Sequence, residues 1–106
     1  MGDEIVVFVT TGSPDEAQSI SGALVKRRLA ACVNIVDAVQ SVFNWHGQVC
    51  QEGETLMIIR STKRHLDAIV ALIKKLHSYE VPEIIALPII SGSHDYLEWI
   101  QQETSD

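Results

Sequence analysis

The sequence predicts an α+β domain in which helices cover one face of an antiparallel sheet, in the order strand, helix, strand, strand, helix, strand, followed by one more helix. Two observations predict it. Short β-branched and apolar runs with a period of two alternate with stretches in which apolar residues recur every three or four positions. The second and third strand-like runs are separated only by His46-Gly47, a tight turn that fits a hairpin.

Ile5-Val6-Val7-Phe8-Val9-Thr10 reads as a central strand buried on both faces. Ser13-Pro14-Asp15-Glu16 then supplies an N-cap serine, a proline at the first helical position and a glutamate placed to close a capping box. Ala17, Ile20, Leu24 and then Leu29 or Ala31 mark the buried stripe of the helix that follows. From Cys32 the period changes to two and continues through Val39, Ser41, Phe43 and Trp45, as one long strand or a bulged one. Gln48 to Gln51 returns antiparallel, Glu52-Gly53-Glu54 reads as a bulge or bend, and Thr55 to Arg60 re-enters the core.

Ser61 or Thr62 is placed to cap a second helix whose stripe is Leu66, Ile69, Val70, Ile73 and Leu76. It ends near His77-Ser78, where approach to Pro82 favours extended backbone. Glu83 to Ile90 forms the last strand, with Pro88 tolerable at an edge. After the turn Ser91-Gly92-Ser93, a short helix carries Tyr96, Leu97, Trp99 and Ile100, and the polar tail from Gln101 to Asp106 is expected to fray.

With 106 residues, 46% of them hydrophobic, the chain is one domain, residues 1–106, with a modest core. A net charge of -6 argues against a grip on nucleic-acid phosphates. The basic groups Lys26-Arg27-Arg28, Lys63-Arg64 and Lys74-Lys75 all fall on expected helices and read as solvated faces or helix ends. No apolar run is long enough to span a membrane, and the amino terminus lacks the pattern of a leader, so a cytoplasmic protein with reduced Cys32 and Cys50 is expected. Strands apolar on both registers leave a sheet face to cover, which points to self-association through that face or the long hairpin.

Four separated blocks resemble the CutA divalent-cation tolerance proteins: Arg28 to Ile35, Ser41 to Gly47, His77 to Ile89 and Tyr96 to Trp99. The resemblance implies a ferredoxin-like βαββαβ protomer with an additional C-terminal helix, packed as a homotrimer similar to that of the PII signalling proteins. It also implies a link to tolerance of copper and other divalent metals. The family commonly reads His-Pro-Tyr where this chain has His77-Ser78-Tyr79, which makes the connection less rigid here. In some members the proposed copper ligands are a cysteine ending the first strand and two adjacent histidines. Thr10 or Thr11 and Leu76-His77 occupy those positions here, so His77 alone is retained.

His77 and Glu80 form an imidazole and carboxylate pair suited to a borderline divalent ion, with Cys32 as a further candidate ligand and His46 and Cys50 as more distant ones. Against this, His77 can cap a helix, Glu80 can pair with a base such as Arg60, and Cys32 can be a small packing residue. Trp45, Arg60, His77, Tyr79, Glu80, Glu83 and Trp99 are the candidates for an intersubunit cleft, where Arg60, Tyr79 and Glu80 would grip an anionic or polar ligand. No glycine-rich nucleotide loop or arranged catalytic set is visible, and Ser91-Gly92-Ser93-His94-Asp95 reads as a turn entering a helix. The expected function is therefore a binding protein and not an enzyme. It requires no cofactor and takes a weakly held Cu2+ or another divalent cation, with its own copies as partners. The rival expectations are a PII-like small-molecule sensor and a structural adaptor trimer.

Overall fold

A computed structural model describes residues 2–105. Four strands form one antiparallel sheet: β1 (Glu4–Thr11), β2 (Cys32–Trp45), β3 (Gln48–Thr62) and β4 (Ile84–Pro88), in the order β2-β3-β1-β4. Helices α1 (Pro14–Lys26) and α2 (Leu66–Leu76) lie on one face, and a 3-10 turn over Lys63–His65 leads into α2. Along β1 the residues Ile5, Val7 and Val9 point to the helices, as Met57 and Ile59 do from β3, and they pack against Ala17, Ile20, Leu24, Ile69 and Ile73. Each of these Val, Leu, Ile and Met side chains contributes about 1.5 to 3 kcal/mol by leaving water.

Local chemistry sets several boundaries. The Ser13 hydroxyl accepts from the Glu16 amide at 3.2 Å, so α1 starts where the sequence places it. The capping box is only half made, because the Glu16 carboxylate turns outward to Gly12 and Ser78. No side-chain cap begins α2, since the Ser61 hydroxyl donates to Leu29 O and Thr62 precedes the 3-10 turn without a capping bond. Leu72 is buried in the α2 stripe while Leu76 is exposed, which shortens the expected stripe by one turn.

The central strand β1 is covered on one face only. The opposite side carries Val6, Phe8, Leu56, Ile58 and Val36, continued onto β4 by Ile85 and Leu87, so it is apolar and largely open. Helix α3 (His94–Glu103) closes one end of it, burying Ile100 and placing the Gln101 amide 2.6 Å from Glu4 Oε2. The tail does not fray as far as Ser105. Arg28 donates to the carbonyls of Ser105 and Gln102, the His65 ring bonds Thr104 O at 2.6 Å, and the Thr104 hydroxyl caps Ile100 O. Asp106 lies outside the described residues.

The hairpin outruns its sheet. β1 pairs with β3 only as far as Thr55, so Glu54 back to Gln48 projects with β2 by about 20 Å. His46 and Gly47 adopt φ of 51° and 79°, the two left-handed positions of a tight hairpin turn. The irregularity of the hairpin lies in β2 and not at Glu52-Gly53-Glu54, where β3 runs on regularly. Between Val36 and Val39 one extra residue is inserted, Ala38 takes φ 60°, and Asp37 Oδ1 accepts from Ala38 N and the Thr55 hydroxyl. The insertion shifts the alternation by one, so Val39, Ser41, Phe43 and Trp45 take over the face that Cys32, Asn34 and Val36 held.

Candidate functional site: an acidic groove beside the hairpin

That change of phase builds the site. After the bulge, Val39, Ser41, Phe43 and Trp45 lie opposite Glu54, Glu52, Cys50 and Gln48 on one face of the projecting hairpin. The connection from α2 to β4 crosses in front of this face with Tyr79, Glu80, Val81 and Glu83. Ser41, Val42, Phe43, Trp45, Cys50, Glu52 and Glu54 of the hairpin, this connection and Thr10 enclose a groove of about 550 Å3. Glu52, Glu54, Glu80 and Glu83 all line it, and no Lys, Arg or His does. The groove therefore carries a negative potential that nothing in its own wall offsets.

One hydrogen bond ties the two walls. The Tyr79 hydroxyl donates to Glu54 Oε2 at 2.7 Å across the end of the sheet. Burial, then the bond to Glu54 and the charges of Glu54, Glu52 and Glu16, push the Tyr79 hydroxyl well above its ordinary range, so it stays a donor. Its ring leaves no room over Gly12, where a Cβ would stand 3.4 Å from the hydroxyl.

The connection itself is pinned from behind. His77 is the C-cap of α2 in extended geometry (φ -80°, ψ 142°), is 8% exposed, and bonds Thr10 O through Nε2 at 2.7 Å. Its Nδ1 accepts the Tyr79 amide at 3.0 Å, which fixes the neutral tautomer with hydrogen on Nε2. Ser78 donates its amide to Glu16 Oε2 at 2.7 Å, and Glu16 Oε1 accepts from Gly12 N at 3.2 Å. Burial alone would raise the Glu16 carboxyl, but the bonds from Ser78 and Gly12 hold it below its ordinary 4.5. A proline at position 78 could not supply that amide.

The structure divides the residues singled out from the sequence. Trp45, Tyr79, Glu80 and Glu83 share the groove wall. His77 touches it only through Tyr79, whose ring centroid is 4.7 Å from the imidazole, and both its nitrogens are engaged, so as it stands it is not a free ligand. Cys32 and Arg60 are cross-strand partners at the other end of the sheet, six residues from Glu54 along β3, or about 20 Å. There Arg60 Nη2 lies 2.7 Å from Cys32 Sγ, which is 3.5 Å from the Tyr96 hydroxyl, and Tyr96 stacks on Trp99 with centroids 5.5 Å apart. Within one chain, then, Cys32 cannot join His77 and Glu80 around an ion. Arg60 cannot grip a ligand with Tyr79, nor does it pair with Glu80, and Trp99 belongs to its cluster.

Cys50 faces Phe43 in the ladder while the His46 ring sits edge-on to Trp45, so the turn does not join those two either. Among the described residues no group of three His, Cys, Asp or Glu side chains converges closely enough to hold a metal ion. The members that sequence reasoning missed are Phe43, Glu52, Glu54 and Glu16. Their signal was present, since residues 50, 52 and 54 share one face of any regular strand.

The model of the CutA1 divalent ion tolerance protein family matches residues 5–103. The divalent-cation tolerance protein CutA of Thermus thermophilus is 43% identical over 101 residues, covering 95% of this chain and 98% of that protein. Its solved structure has a TM-score of 0.94 and covers 96% of this chain and 99% of that one. The chloroplastic protein CutA 1 of Oryza sativa is 42% identical over 102 residues, 96% of this chain but 58% of that longer protein. The crystal structure of CutA1 from Oryza sativa also has a TM-score of 0.94, with 97% of this chain and 94% of that one covered.

Proposed function

Since the chain belongs to the CutA1 divalent ion tolerance family, we propose that it contributes to divalent-cation tolerance by binding such ions weakly, copper or similar, in the acidic groove. The observation that carries the proposal is the grouping of Glu52, Glu54, Glu80 and Glu83 around one groove without a basic side chain in its wall. Because no three His, Cys, Asp or Glu side chains converge among the described residues, the ions are held hydrated and by charge, not as a closed chelate. Copper gains no special hold from His77, whose nitrogens are spent on Thr10 and Tyr79. The protein acts as a binding protein and not as an enzyme. The setting proposed is the cytoplasm; among the described residues no helix is long and apolar enough to cross a membrane.

The working form is a homotrimer. Its support is the open sheet face, where Val36 is 42%, Ile85 52% and Leu87 45% exposed, an apolar surface that self-association would cover. Calorimetric titration of the untagged protein with Zn(II) and Cu(II), repeated on the Glu80→Gln, Glu83→Gln double variant, tests the reading. Millimolar or tighter binding that weakens in the variant supports it, and equal heats in both proteins refute it. The second reading, a PII-like sensor of a small molecule, is favoured by the groove's volume of about 550 Å3, which suits a small-molecule pocket. Its anion-binding form finds no cation in the groove wall, since Arg60 lies at the far end of β3.

A further inference from the structure

The connection from α2 to β4 is held by bonds that all end on titratable side chains. Among the described residues no backbone-to-backbone hydrogen bond involves residues 78–83. Instead the Ser78 amide donates to Glu16 Oε2 at 2.7 Å, the Tyr79 amide to His77 Nδ1 at 3.0 Å and the Tyr79 hydroxyl to Glu54 Oε2 at 2.7 Å. The three acceptors differ in what a proton does to them. A carboxyl group that takes up a proton keeps an oxygen able to accept, whereas an imidazole protonated on both nitrogens has no acceptor left. Nor is the His77 ring free to turn away, since it is 8% exposed and its Nε2 bonds Thr10 O at 2.7 Å. A proton on Nδ1 therefore sets two N–H groups against each other, and the Tyr79 amide has to leave.

The surroundings permit the charge without relieving that clash. From the start of α1 the Glu16 carboxylate lies beside the ring, with its oxygens engaged by the Gly12 and Ser78 amides. From β1 the ring meets the neutral Thr10 carbonyl, and from the connection the Tyr79 ring, centroid to centroid at 4.7 Å, with Glu54 of β3 behind it. Lys74 and Lys75 of its own helix are exposed. The fold does not depend on the segment, because β4 pairs with β1 from Ile5 to Val9 and Ile69, Leu72 and Ile73 hold α2 in the core.

We propose that His77 is a pH-sensitive latch: proton uptake at Nδ1 releases residues 78–83 from the end of the sheet while the sheet and helices stay folded. Release draws Tyr79 away from Glu54 and moves one wall of the groove, whatever the groove binds.

The test is amide exchange on the full chain, expressed as protection relative to the intrinsic rate at each pH. From about pH 8 to about pH 5, where histidine changes charge, protection of the Tyr79 amide should fall about tenfold or more while the β1 amides keep theirs. His77→Asn does not ionise and keeps an acceptor for the amide two residues on, so its Tyr79 protection should stay level. Should that variant fail to fold, nuclear magnetic resonance of the wild type carries the test: the His77 ring and the Tyr79 amide should follow one titration curve. Level protection in the wild type, an equal fall in His77→Asn, simultaneous loss at the β1 amides, or separate curves for ring and amide each overturn the proposal.

Discussion

Ser78→Pro probes how the groove wall is held, because it deletes one defined bond. The Ser78 amide donates to Glu16 Oε2 at 2.7 Å, a charge-assisted bond on a partly open surface, worth about 1.5 kcal/mol. His77 already has φ -80° and ψ 142°, the extended geometry a following proline requires, so no refolding of that residue is needed. Proline's restriction of the unfolded chain returns about 0.5 to 1 kcal/mol. Ser78→Pro alone should therefore destabilise by about 0.5 to 1 kcal/mol. In a Glu16→Ala background the bond is already gone, and the same change should stabilise by about 0.5 to 1 kcal/mol. Urea denaturation of the four proteins at one fixed protomer concentration closes the cycle. If Ser78→Pro has the same effect in both backgrounds, Glu16 does not hold the connection through that amide and the reasoning fails.

Other substitutions test the remaining joints. His77→Ala removes the bonds to Thr10 O and the Tyr79 amide from a buried position, so stability should fall by roughly 2 to 3 kcal/mol in denaturant, while Cu(II) affinity per folded protomer stays unchanged. The Glu16 carboxyl is held below its ordinary 4.5, so its contribution is complete above that value and is lost as pH falls through the folded value. The melting-temperature gap between wild type and Glu16→Gln should accordingly be widest near neutrality and narrow once the pH falls below the carboxyl's ordinary 4.5. Ile58→Asp, on the open sheet face, should shift sedimentation toward the monomer, and an unchanged sedimentation coefficient would exclude that face as the interface.

Most of the fold was legible because each element carried its own local signal. The Ser13-Pro14 start of α1, the left-handed His46-Gly47 turn and the edge position of Pro88 follow from backbone chemistry that any context would respect. The errors fall where a distant partner decided the outcome. Glu16 had the right spacing for a capping box, but two amides from Gly12 and Ser78 outbid the one amide of Ser13. The tail to Ser105 looked free because its anchors, Arg28, Arg64 and His65, come from far earlier in the chain. Glu52-Gly53-Glu54 looked like a break because of its glycine, whereas the bulge sits across the ladder at Asp37-Ala38.

The site shows the same division more sharply. Tyr79, Glu80 and Glu83 were visible as a polar cluster before an apolar strand, yet the cluster alone suggested His77 as its chemical centre. In the structure His77 has the opposite role: both nitrogens face the chain's own backbone, so it fixes the wall and offers nothing to a ligand. The carboxylate that joins the two groove walls is Glu54, which lay in a presumed bend. Only the register shift at Val36/Val39 shows that Phe43 and Trp45 share its face. A local motif can reveal which groups are present, but an uncompensated charge is a property of everything around it. Among the described residues no base pairs with Glu54, and Arg60 lies about 20 Å away along the same strand, engaged with Cys32. The excess of carboxylates in the groove is thus set by where a distant base is placed, which no local motif records.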